Sequence, residues 1–233
     1  MPTPVMLSWS GGKDSAMALH EIAGANDYEV VGLLTTVSEE FRRISHHGVR
    51  EALLDEQAAA IGLSLEKVYL PSGESNGCTN EIYNALMETA LARCRARGVQ
   101  AIAFGDLFLQ DLRDWREAQL GQVGMSAIFP IWKRDTAELA RTVIAFGFES
   151  YFSCVGAALG PAFAGRLFDE ALLEALPPGI DPCGENGEFH SFVCDGPIFK
   201  RPIPIRTGKT LERGGRFFAD LILDPGGTTR CSN

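Results

Sequence analysis

The sequence predicts an α/β protein, a doubly wound parallel sheet with helices on both faces, followed by a smaller α+β C-terminal domain. Three observations predict it. Strand-like apolar runs alternate with helical runs over the first 130 residues, the pattern of successive βαβ units. The first run ends in a glycine-rich, charged loop that passes straight into a helix, "LSWSGGKDSAMALHE", residues 7–21. After Pro177-Pro178 the composition shifts to Gly, Pro and Phe with short β-like stretches.

The first strand is expected at 4–9, where Val5, Met6 and Leu7 read as buried. The first helix is expected at 14–25, with Met17 and Leu19 among alanines. Strands at 29–36, 65–70, 100–105 and 127–131 then alternate with helices at 48–61, 79–97 and 111–122. Gly62 and Gly98 fall where helix C-caps belong, because glycine takes the left-handed conformation there without penalty. A helix at 135–146, a strand at 149–155 and a short helix at 168–176 complete the regular part. "FPIW", residues 129–132, closes the alternating region. The expected division is therefore a domain over 1–130 that carries the glycine-rich loop, a smaller domain over 131–223 and a tail over 224–233.

Composition narrows the function. The 233 residues are 45% hydrophobic, enough for a substantial core. No apolar run approaches a membrane span, and no basic segment precedes the first apolar stretch, so no signal peptide is expected. The six cysteines are scattered without a CxxC pair, which argues against a zinc or thioredoxin-type site and for reduced thiols in a cytoplasm. A formal net charge of −9 does not suit a nucleic-acid surface.

The loop carries the chemistry. Gly11 and Gly12 let backbone approach a ligand closely, and the helix behind them offers unpaired N–H groups and a partial positive charge. That is an anion site suited to phosphate. Lys13 adds a mobile charge, and Ser10 and Ser15 add hydroxyls. It is not a Walker A loop, since Lys13 is followed by Asp14 rather than Ser or Thr, and no GxGxxG is present. In a sheet of strand order 3-2-1-4-5 the first and fourth strand ends are neighbours. Gly105 and Asp106 would then face the same ligand, with Asp106 toward phosphate or Mg²⁺, or Asp106 simply opens the next loop.

The second unusual stretch is "DPCGENGEFHSF", residues 181–192. Asn-Gly is a strong hairpin signal. With Asn186-Gly187 as the turn, Glu185 and Glu188 stand opposite each other, a repulsion that a bound cation or shared proton relieves. His190 would share the face of Glu188. A solvated hairpin tip would show the same spacing.

SGGKDS resembles the PP-loop of the N-type ATP pyrophosphatases, and GENGEFH resembles the glutamate-rich signature of the diphthine–ammonia ligase family. The similarity runs from about residue 5 to 222. It implies a HUP-type fold, with Ser10, Gly11, Gly12, Lys13, Asp14, Ser15, Thr35, Gly105 and Asp106 around ATP and with Asp14 and Asp106 toward Mg²⁺. His46-His47-Gly48 and the segment after it resemble the family's stretch after the second strand, and Arg113 and Glu117 match an Arg and a Glu of its stretch after the fourth. The resemblance therefore places His47, Arg113 and Glu117 at the substrate and Lys13, Glu185 and Glu188 in catalysis; the turn adds Asn186 at the substrate, and the face shared with Glu188 adds His190 to catalysis. The chain departs from the ligases where His190 and Ser191 replace Glu and Thr, and where Trp115 replaces an Arg. In these respects it is similar to the shorter adenine nucleotide α-hydrolase-like relatives.

The expected activity is ATP-dependent amide formation. A substrate carboxylate attacks the α-phosphorus, pyrophosphate leaves, and ammonia or an amine displaces AMP. The partners expected are ATP, a carboxylate-bearing substrate and ammonia or an amine, with a homodimer allowed and neither membrane nor nucleic acid involved. The alternatives are a PP-loop enzyme modifying tRNA, a phosphoadenylyl sulfate reductase-like protein using Cys231, and a non-catalytic nucleotide-binding module.

Overall fold

Burial alternates along the parallel strands, and that alternation builds two layers of core. In a computed structural model, which describes residues 1–45, 47–71 and 78–226, Leu7, Leu33 and Ala103 face one core while Met6, Leu34 and Ile102 face the other. Period-two side-chain direction makes this unavoidable for a strand buried on both faces. His46, Cys231 and all of the expected tail beyond residue 226 lie outside the described residues.

The strands concerned are β1 (Thr3–Ser8), β2 (Tyr28–Ser38), β4 (Leu65–Leu70), β5 (Ala101–Ala103) and β6 (Ser126–Ile128). They pair in parallel in the spatial order β4-β2-β1-β5-β6. Counting only these five, the order is 3-2-1-4-5, as expected. A two-residue strand, β3 (Arg43–Ile44), pairs antiparallel with the end of β2. The helices between them are α1 (Lys13–Gly24), α2 (Glu51–Ile61), α3 (Asn80–Ala96) and α4 (Gln110–Gln122). Side chains of α1 and α2 enter the first core, and those of α3 and α4 enter the second. Gly62 and Gly98 do end helices in the left-handed region, with φ of 88° and 87°. Helix α2 starts at 51 rather than 48 because Gly48 is left-handed at φ 68° and the chain before it turns back to form β3.

Helix α5 (Thr136–Ala145) extends the first core, and α6 (Glu170–Ala175) caps it. A second, antiparallel sheet follows in the order β8-β7-β10-β9. Its strands are β7 (Glu149–Gly156), β8 (Phe189–Asp195), β9 (Ile205–Arg213) and β10 (Arg216–Leu223). Phe152, Val155, Phe189 and Val193 pack into the first core, while Tyr151, Phe192, Ile205 and Leu221 pack with Leu53 of α2. Sheet two thus lies against α1 and α2 at the C-terminal ends of the parallel strands. Asp220 of β10 fastens this arrangement, taking Arg43 at 2.9 Å and Arg50 at 2.7 Å.

The hairpin expected at Asn186-Gly187 does not form. Residues 181–188 fold on themselves instead, because the Asp181 carboxylate accepts the N–H groups of Cys183 and Glu185. Such an Asx-type arrangement outcompetes strand pairing locally. Strand β8 begins only at Phe189 and takes β7 as its partner. Glu185 and Glu188 therefore do not oppose each other.

Candidate active site

Strand β1 ends at Ser8, and the chain must turn at once into α1. Gly11 makes the turn at φ 76°. Gly12, the N-cap of α1, brings no capping side chain; Ser191 Oγ accepts the Lys13 N–H at 3.1 Å, and the next N–H groups of the first turn are left to a ligand. Space is tight on both sides of the loop. A Cβ at Gly12 would sit 3.0 Å from the Ser191 carbonyl, and one at Gly105 would sit 2.7 Å from the Asp14 backbone. The two glycines let β8 and the end of β5 close on the loop.

A cleft of about 570 Å³ opens above it. Ser10, Gly12, Lys13, Asp14 and Ser15 form its floor. Thr35, Gly105 and Asp106, from the ends of β2 and β5, line its sides. His47 and His190 enter from the far wall, their rings stacked with centroids 4.2 Å apart. Glu185 reaches in from the 181–188 turns. Between α3 and α4 the cleft continues over an apolar surface that includes Leu34, Met87, Ile102, Phe104 and Trp115.

Not every expected residue is there. Gly11 faces away from the cleft. Glu188 and Asn186 hold each other and the Asp181 N–H, with both contacts to Glu188 at 3.1 Å. Arg113 stacks on Phe129 and Trp132 and pairs with Glu117 one helical turn on. None of these five lines the cleft. Arg116 and Ser191 do line it and were not singled out as ligands.

Lys13 is not the mobile charge expected. It is 2% exposed, bonded to Asp14 at 3.0 Å and to the Cys183 carbonyl, and it lies over the Phe189 ring. Burial opposes its charge, but Asp14 and then Glu185 more than offset this, and its pKa is raised. Burial likewise raises the Asp14 carboxyl, with Asp181 and Asp106 adding to the effect against Lys13. Glu185 is pushed up to about 7, first by burial and then by Asp14 and Asp106, against the N–H groups of Leu107 and Phe108 that its carboxylate accepts. Burial pushes the Cys183 thiol up to about 12, which leaves it unreactive.

Asp14 fits a magnesium ion. Its Oδ1 is buried with no hydrogen-bond partner among the described residues, and the side chain opens on the cleft. Mg²⁺ commonly takes one or two carboxylates and completes its shell with phosphate oxygens and water. The Asp106 carboxylate is already engaged by Arg116 at 2.6 Å. Among the described residues no three side chains are grouped to hold a metal by themselves, so nucleotide oxygens would have to supply the rest.

Gln57 has no place in the sequence reading. It is fully buried in α2, and its carboxamide joins Trp9, Gly11 and Val193. The available signal is its spacing. It lies three residues after Leu54 and four before Ile61, on the buried stripe of α2, where a polar side chain needs partners.

Two family models match the chain. The diphthamide synthase N-terminal domain matches residues 3–127, and the diphthamide synthase C-terminal domain matches residues 135–219. Similar proteins include the diphthine–ammonia ligase of Rattus norvegicus, 25% identical over 91% of this chain and 86% of that protein. The ligase of Danio rerio is 24% identical over 91% and 90%. That of Schizosaccharomyces pombe is 24% identical over 87% of this chain but only 36% of its own length.

Proposed function

This chain belongs to the diphthamide synthase family, and from that premise we propose that it is an ATP-dependent ligase joining ammonia to a substrate carboxylate through an acyl-adenylate. The observation that carries the reading is the single cleft shared by the SGGKDS loop and Glu185. The loop's N–H groups and Lys13 face the polyphosphate and offset charge as pyrophosphate leaves. Asp14, whose buried Oδ1 opens on the cleft, would hold a Mg²⁺ ion there, which would supply further charge neutralisation.

Ammonia must lose its proton from ammonium before it can attack the acyl carbon. Glu185 suits that task because its carboxyl titrates near neutrality. His47 and His190 stand on the cleft wall where the acceptor carboxylate would enter. Diphthine, the acceptor in the name of the relatives, is the carboxylate to test first. Glu188, Asn186, Arg113 and Glu117 support the walls in this scheme rather than touching substrate.

Chromatography of spent nucleotide tests the first step. AMP and pyrophosphate are expected, formed in proportion to amide, and ADP with phosphate sinks the scheme.

A further inference from the structure

We infer that Gln57 is the positioning residue that sets the orientation of the phosphate-binding loop. Its Nε2 donates to the Gly11 carbonyl at 2.9 Å and to the Val193 carbonyl at 2.7 Å. Its Oε1 accepts from the Trp9 indole at 2.9 Å. Both donors and one of the two acceptor lone pairs of the buried carboxamide are thereby used. The Val193 N–H also donates to the Gly11 carbonyl, at 2.9 Å.

These contacts decide which way one peptide unit points. Gly11, Gln57 and Val193 are all outside the cleft lining, whereas Gly12 is in it. The Gly11 carbonyl is thus held away from the cleft. In a planar trans peptide the C=O and the next N–H point in opposite directions, so the Gly12 N–H is turned to the cleft side, where Ser10 Oγ accepts it at 3.3 Å. A flip of the Gly11–Gly12 peptide would present a carbonyl oxygen to an anion instead. Gly11 at φ 76° has the freedom to make such a flip, and Gln57 opposes it together with the Val193 N–H. The carboxamide also packs close enough that a Cβ at Gly11 would lie 2.7 Å from Oε1.

The inference rests on the reading that the loop holds phosphate, and one calorimetric experiment separates the two. ATP, pyrophosphate and adenosine are titrated into the wild-type chain and into Gln57→Met, which keeps length and loses both donors. Affinity for ATP and for pyrophosphate should fall at least tenfold, with adenosine affinity changed less than threefold. Equal loss for all three ligands, or no loss for pyrophosphate, overturns the positioning role. A wild type that binds neither ATP nor pyrophosphate overturns the phosphate reading together with it. Gln57→Glu provides a second arm if the Met variant does not fold. Its protonated carboxyl keeps one donor, so the ratio of its ATP affinity to that of wild type should fall as pH rises and the group ionises. A ratio that stays level with pH overturns the inference.

Discussion

Glu185 and Glu188 have the same side chain, three positions apart, in different surroundings. The carboxylate of Glu185 reaches the cleft and accepts the N–H groups of Leu107 and Phe108, shortly before α4 begins. That of Glu188 turns back into its own loop. Glu185→Gln should keep ATP affinity within a few-fold and abolish amide formation, whereas Glu188→Gln should leave amide formation within a few-fold. Rates of labelled ammonia incorporation decide this, and the reverse ranking would refute the assignment. In the wild type the rate should rise through pH 7 as Glu185 ionises. Stability should move the other way. Folded Glu185 keeps its proton to about 7, against 4.5 for an unperturbed glutamate. Between these values the folded state binds more protons than the unfolded state, so stability falls with rising pH. Relative to wild type, Glu185→Gln should gain nothing at low pH and on the order of 1–2 kcal/mol above pH 7, discounted for partial solvent screening. Urea melts across pH read this directly. Lys13→Ala should weaken ATP binding by about 1.5–3 kcal/mol through loss of a charge-assisted contact, and calorimetry showing unchanged affinity would remove Lys13 from the phosphate site.

At the scale of elements, the site is a junction of strand ends with one helix, and close approach is its condition. The end of β5 passes so near the first turn of α1 that a Cβ on Gly105 would lie 2.7 Å from the Asp14 carbonyl carbon and 2.9 Å from the Ser15 nitrogen. Backbone atoms cannot swing aside as a side chain would. Gly105→Ala should therefore cost about 1–3 kcal/mol of stability, as overpacking does, and lower ATP affinity by displacing the loop. A variant with wild-type melting and affinity would show the junction to be more yielding than the geometry implies. The parallel sheet was legible from βαβ alternation, but alternation suits the order 2-1-3-4-5 as well as 3-2-1-4-5, and the order that makes this junction came with the resemblance to a HUP-type fold. The 181–188 turns were not legible, since the Asn186-Gly187 signal was outweighed by the Asp181 side chain bonding its own loop. The β9–β10 hairpin has a local signal in Gly214-Gly215, both left-handed, which sets Arg213 opposite Arg216, whereas the pairing of β10 with the distant β7 has no such local signal. Gln57 was visible only as a polar residue on an apolar stripe, because its partners Trp9 and Val193 lie 48 and 136 positions away.

At the scale of the whole molecule, sequence composition suggests two domains meeting near residue 130, but the packing ties the two parts together. One buried cluster contains Leu7, Trp9 and Leu19 from the first part together with Phe152, Phe189 and Val193 from the second. The Ser10–Ser15 loop itself is completed from the second part, through the Val193 N–H on the Gly11 carbonyl and the Ser191 hydroxyl on the Lys13 N–H at 3.1 Å. A chain ending at residue 130 would expose those core faces and lose these contacts to the loop. Unfolding of the full chain should accordingly be one cooperative transition, and ATP with Mg²⁺ at a hundred times its dissociation constant should stabilise all of it by about 2.7 kcal/mol. Trp9, 1% exposed at the centre of the shared cluster, is a natural reporter once Trp115 and Trp132 are replaced by Phe. Its fluorescence and the far-UV circular dichroism should give superimposable melts, shifted together by nucleotide. Two separated transitions, with only one of them moved by ATP, would mean that the parts fold independently and that the second sheet merely rests on the loop.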